Sequence, residues 1–117
     1  KFLFRLMAVV NQYKFVGIDD STSGAALSPF GSGNPLVNET YLIKSILVTS
    51  AGTPTVTILN NSITAIKSGA LTANTTTELL TQPLIVEGGK TFTIQSSSSD
   101  SFDVAISYLN IKKETVT

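Results

Sequence analysis

From Leu36 onward, apolar and polar side chains alternate in short runs. In Thr55-Val56-Thr57-Ile58-Leu59 the alternation is strict, and Ile63-Thr64-Ala65-Ile66 resumes it after Asn60-Asn61. Two such runs about a short Asn turn are a β-hairpin signal, because Asn tolerates the positive φ that a tight turn needs. Residues 91–95 alternate again and put Phe92 and Ile94 on one face. Residues 101–108 do so most clearly: Phe102, Val104, Ile106 and Tyr108 point one way, and Asp103, Ala105 and Ser107 the other. Residues 41–50 are richer in apolar residues and predict a strand buried on both sides. Residues 75–80 and 84–86 complete the set, with Gly88-Gly89 and residues 96–100 as turns. Six or seven strands at a spacing of about 8 to 12 residues, without a helical stretch, predict an all-β fold. The leading architecture is an antiparallel two-sheet β-sandwich, jelly-roll-like. Its expected core is Ile43, Val56, Ile58, Phe92, Ile94, Phe102, Val104 and Ile106.

The first 38 residues behave differently. The run AVVNQYKFV can form one strand, but Val10, Tyr13 and Phe15 share no clean face. Residues 17–34 read GIDDSTSGAALSPFGSGN, dense in Gly, Ser, Asp and Pro, which is the composition of a loop or extended segment. The expected organisation is therefore an extended N-terminal arm, residues 1–38, followed by a sandwich domain, residues 39–117. The arm also holds apolar side chains with no local periodicity to bury them, and exposed apolar groups on an irregular segment need a partner to cover them. Tyr13, Phe15, Leu27, Phe30, Leu36 and Val37 are the resulting candidate interface residues, with a further cluster at Phe2, Leu3, Phe4 and Leu6. The alternative is that the arm adds a strand to its own sandwich.

Composition narrows the chemistry. The 117 residues make one ordinary domain, long enough to hide about two-thirds of its unfolded surface without a staple. Cys, His and Trp are absent. Thiolate or imidazole metal sites, cysteine nucleophiles and Ser-His-Asp triads are therefore excluded. Eight basic and eight acidic residues cancel, which removes the electrostatic case for nucleic acid. Only 14% of the chain is charged, against about 25% in an average domain. Polarity rests instead on 14 Ser and 16 Thr. Zero net charge favours self-association, so this is the composition of a chain that lives in an assembly. The opening KFLFRLMAVV superficially resembles a signal peptide, but Arg5 interrupts its apolar part and no small-residue cleavage site follows. Met7 as the initiator, with six extra residues upstream, is the other reading. No stretch has the composition of a membrane-spanning helix.

The remaining chemical candidates are weak. Asp19-Asp20 and Asp100 with Asp103 lack the converging oxygens that calcium requires, so no metal site is expected. Glu39, Glu78 and Glu87 sit beside turn residues rather than as a carboxylate pair in a cleft. No catalytic residue and no cofactor are expected, and the chain reads as a non-enzyme. The triplets beginning at Asn38, Asn60 and Asn74 fit the glycosylation pattern, which matters only in a eukaryotic secretory setting. A sugar platform needs an exposed aromatic ring. Tyr13, Phe15, Phe30 and Tyr41 are the available ones, Phe30 foremost.

The segments Ile43–Ile46 (I-x-S-I form), Leu71–Thr76 (L-x-A-N-T-T), Pro83–Gln95 (P-L-x-V-E-x-G-x-T-F-x-x-Q) and Val104–Leu109 (ending S-Y-L) follow one another in a characteristic cadence. In this the chain resembles small β-sandwich virion structural proteins of tailed bacteriophages, over about two-thirds of its length and excluding the first 38 residues. The resemblance implies a capsid decoration, or cement, protein on the capsid exterior that bridges neighbouring major capsid subunits. Its implied partners are the major capsid protein and other copies of itself, with a trimer the favoured oligomer, and neither nucleic acid nor membrane. The alternative is a tail, neck or fibre-associated domain that binds a receptor or carbohydrate.

Overall fold

A computed structural model describes residues 6–22 and 24–116. These residues form eight strands and no helix: β1 (Leu6–Ser21), β2 (Glu39–Ser50), β3 (Val56–Asn60), β4 (Ile63–Lys67), β5 (Thr76–Glu78), β6 (Leu84–Val86), β7 (Phe92–Ser96) and β8 (Phe102–Val116). They make two antiparallel sheets. One runs β1-β8-β2, with the short β5 and β6 sharing the far side of β2; the other runs β4-β3-β7. The sheets pack face to face as a β-sandwich.

The alternation seen in the sequence is what closes the core. Inward rows from β2 (Ile43, Ile46, Val48) and β8 (Phe102, Val104, Ile106) meet Val56 and Ile58 of β3 and Phe92 and Ile94 of β7. All eight expected core residues are buried there. Burying a side chain of this kind stabilises by about 1.5 to 3 kcal/mol, so these two facing layers dominate the cohesion of the fold. The β3–β4 turn falls one position later than the sequence suggests. Asn61 and Ser62, with φ of 52° and 65°, are its two central residues, and both occupy the left-handed region that a type I′ turn demands.

The N-terminal region is the main correction. Residues 6–21 follow the alternative reading rather than the extended arm: the possible strand at residues 8–16 is part of a longer β1, which runs on into the loop-like stretch and pairs with β8 from Leu6↔Val116 to Ser21↔Phe102. The reason no clean face was visible is now plain. Of the inward even positions, only Val16 and Ile18 pack on the core, while Gln12 and Lys14 are polar. The larger apolar groups, Tyr13 and Phe15, point outward. Residues 24–37 are irregular, yet they serve the sandwich. Leu27 exchanges two backbone hydrogen bonds with Ile94 (2.8 and 2.9 Å), lining the outer side of β7. The Phe30 ring packs edge-to-face against Tyr41 and Tyr108 and tilted against Phe92, at centroid distances of 4.7, 4.9 and 5.4 Å. Phe2, Leu3 and Phe4 lie outside the described residues.

One irregularity in β2 shapes the outer surface. The register slips between Ile43 and Ser45, a β-bulge at Lys44. Past the bulge Ile46 turns its backbone toward β5: its carbonyl accepts from Leu79 N–H at 2.9 Å, its N–H donates to Glu78 Oε2 at 2.7 Å, and the Ser45 hydroxyl donates to Glu78 Oε1 at 2.5 Å.

Candidate interaction surface

Four sheet edges are open to the surroundings, and three are guarded. An edge strand presents unpaired N–H and C=O groups, and natural proteins blunt such edges with short strands, Lys, Pro, bulges or covering segments. The β4 edge has five residues and ends in Lys67. The β7 edge is covered at Ile94 by Leu27. The far side of β2 is split between two three-residue strands, with Pro83 between them. β1 is the longest, 16 residues without Pro, with Lys14 its one Lys, and among the described residues it pairs with β8 alone. Lys113 N–H donates to Asn38 O toward the β2 side. By the alternation of an antiparallel ladder, odd residues of β8 therefore bond toward β2 and even ones toward β1. The odd residues of β1, Tyr13 and Phe15 among them, then point their backbone groups away from the sheet.

The same odd residues contribute side chains to the outer face of the five-stranded sheet. There the register sets Tyr13 beside Leu109, Leu109 beside Leu42, and Leu42 beside Ile85. This is a continuous apolar row across four strands, about 14 Å from end to end at the usual strand spacing. Tyr13 is 77% exposed, and Phe15 and Ile85 are exposed as well. A groove of about 490 Å³ lies beside the row, lined by Tyr13, Phe15, Lys44 and Ser107 with Lys14 and Tyr108. A second, of about 410 Å³, includes Val37, Thr40, Ile111 and Lys113.

The inner face carries a different feature where the core ends. Glu39 is buried; its Oε1 accepts from Leu36 N–H and its Oε2 from Asn110 Nδ2, both at 2.9 Å. Burial pushes its carboxyl up, but the hydrogen bonds from Asn110 and Leu36, with Lys112 and Lys14 nearby, outweigh that and hold it below its ordinary value. Burial, the Glu39 charge and Tyr108 push the Tyr41 hydroxyl up to about 12. Burial and Glu39 raise Tyr108 as well. The arrangement is a buried polar clasp joining β2 to β8. Contrary to the expectation that Glu39 and Glu87 share no cleft, both line the groove of about 410 Å³.

The six candidate interface residues thus separate. Tyr13, Phe15, Leu36 and Val37 are exposed, Val37 at 90%. Leu27 and Phe30 are half-buried against the core and hold the chain's own sandwich together. Phe30 and Tyr41 are also withdrawn as sugar platforms, since the two rings pack on each other. Leu42, Leu109 and Ile85 are surface residues that the sequence reading missed. Leu109 and Ile111 on the polar phase of β8 were the available signal. Among the described residues no helix is long and apolar enough to cross a membrane.

The sequence matches no protein-family model and no curated protein. Among solved structures, the chain is similar to one described as "Bacillus endospore appendages form a novel family of disulfide-linked pili", with a TM-score of 0.44 and 13% identity over 92% of this chain and 90% of that one.

Proposed function

We propose that this chain is a structural assembly protein that works through its surfaces and catalyses no reaction. The observation that carries this reading is the long open edge of β1, joined to an apolar row on the same outer face. In an isolated monomer such an edge is an aggregation hazard; in an assembly it is a contact. In its most specific form the reading is a capsid decoration protein of a tailed bacteriophage that bridges major capsid subunits, supported by the cadence of residues 43–109. Stoichiometry tests it. Hundreds of copies per particle, counted by mass spectrometry or seen in a particle map, are expected; absence from purified particles would remove the decoration role.

A second reading, a receptor- or carbohydrate-binding domain of a tail or fibre, is favoured by one observation. Tyr13 and Phe15 flank a groove that also holds Lys44 and Ser107, so aromatic rings and hydrogen-bonding groups converge there. A glycan-array signal that disappears in Tyr13→Ala would decide for it.

A further inference from the structure

Resting on the assembly reading, we infer that the partner of the β1 edge is a second copy of the same chain, paired antiparallel about a two-fold axis at Tyr13. The edge calls for an extended strand, because only a strand can answer alternating outward N–H and C=O groups along its length. A second β1 supplies one with the same alternation. The outer side chains of the two sheets then fall on one surface when odd residues face odd residues.

Charge and the apolar row select the register. With the axis at Tyr13, residue i faces residue 26 − i. Lys14 then lies opposite Gln12, Phe15 opposite Asn11 and Val10 opposite Val16. Moving the axis to Lys14 sets two ammonium groups against each other, which is unfavourable for directly opposed residues. At Tyr13 the row Ile85–Leu42–Leu109–Tyr13 meets its mate end to end and becomes a single row across both copies. Residues 6–20 overlap, about 50 Å of edge on a layer about 10 Å thick. The two copies together cover on the order of 1,000 Å², the least that a specific interface needs. The contact is isologous and closes on itself, so it gives a dimer rather than a fibre.

The chain has no cysteine, which makes cross-linking unambiguous. In the proposed register the two Tyr13 Cα atoms lie about 5.5 Å apart, within disulfide range. Tyr13→Cys should therefore give a covalent dimer under mild oxidation, while Val37→Cys, exposed but away from the edge, should stay monomeric. Tyr13→Pro removes an N–H that faces away from β8, so it should keep the sandwich and abolish the dimer in sedimentation equilibrium. A wild-type chain that stays monomeric, a trimer, or Tyr13→Cys cross-linking no faster than Val37→Cys would each overturn the pairing. An oligomer that survives Tyr13→Pro with its mass unchanged would overturn the β1 contact while leaving the assembly reading intact.

Discussion

Gly88 shows how closely a single residue is fitted. A Cβ built there would lie 2.7 Å from the carbonyl oxygens of Leu36, Val37 and Glu39, all backbone atoms that cannot swing aside. Gly88→Ala should therefore destabilise by about 1 to 3 kcal/mol, the usual overpacking range. Gly69, with open space around its Cβ position, is the control, and Gly69→Ala should change stability by no more than about 0.5 kcal/mol. Urea melts of the two variants compare them directly. The Glu39 clasp sets the response to pH. A carboxyl held below its ordinary value adds stability that is complete above 4.5 and is lost as pH falls through the lower folded value. Tyr41, raised to about 12, favours its neutral form in the fold; that stabilisation is complete below 10.0 and is lost as pH climbs toward 12. The melting temperature should thus be highest between these limits. Glu39→Gln should flatten the acid limb, and a slope unchanged by it would show that other carboxylates set the acid response.

Among the elements, the segment 24–37 and β1 are parts of the sandwich rather than additions to it. Phe30 closes the end of the core against three aromatic rings, and Phe30→Ala should cost about 3 to 5 kcal/mol in a thermal melt analysed at equilibrium. Removing residues 1–34 takes away both Phe30 and the strand that pairs with β8 from Phe102 to Val116. The truncated chain should therefore lose its cooperative unfolding transition, in contrast to the expectation of a separate sandwich domain over residues 39–117. A sharp melt and near-native β circular dichroism in the truncation would show that β2 alone is enough to hold β8. The Lys44 bulge belongs to this scale as well. It sets Lys44 in the lining of the groove at Tyr13 and Phe15, while on the other side of β2 the Glu78 carboxylate of β5 accepts from Ile46 N–H.

The whole molecule is elongated, 66 × 22 × 21 Å, because β1 and β8 run longer than the strands that face them. Its Cα radius of gyration is 16.6 Å, whereas a compact domain of this length would have about 13 Å. Small-angle scattering of a dilute Tyr13→Pro chain should recover a value near that of the elongated form; one near the compact value would mean that the β1–β8 ribbon folds back on the sandwich. With zero net charge, no long-range field opposes approach of a second copy. Contact is left to the edge and to the apolar row, and self-association should change little with added salt.

The sequence by itself determined the β-sandwich. Strict two-residue alternation in residues 55–59, 91–95 and 101–108 assigns each side chain to a face, and that assignment needs no knowledge of the partner strand. It also identified the core, since Phe102, Val104 and Ile106 can satisfy their burial only on the inward face. It named Tyr13 and Phe15 as uncovered apolar residues but gave them no face, because β1 places polar residues inward at Gln12 and Lys14 and aromatic residues outward. Such a strand is stabilised by its ladder with β8 rather than by its own pattern, and a ladder depends on residues some 90 positions away in the chain. Tertiary structure alone decided that Phe30 is a core plug, that Leu42, Leu109 and Ile85 align with Tyr13, and that one edge stays open. Each of these is a matter of register between distant strands, which local periodicity cannot encode.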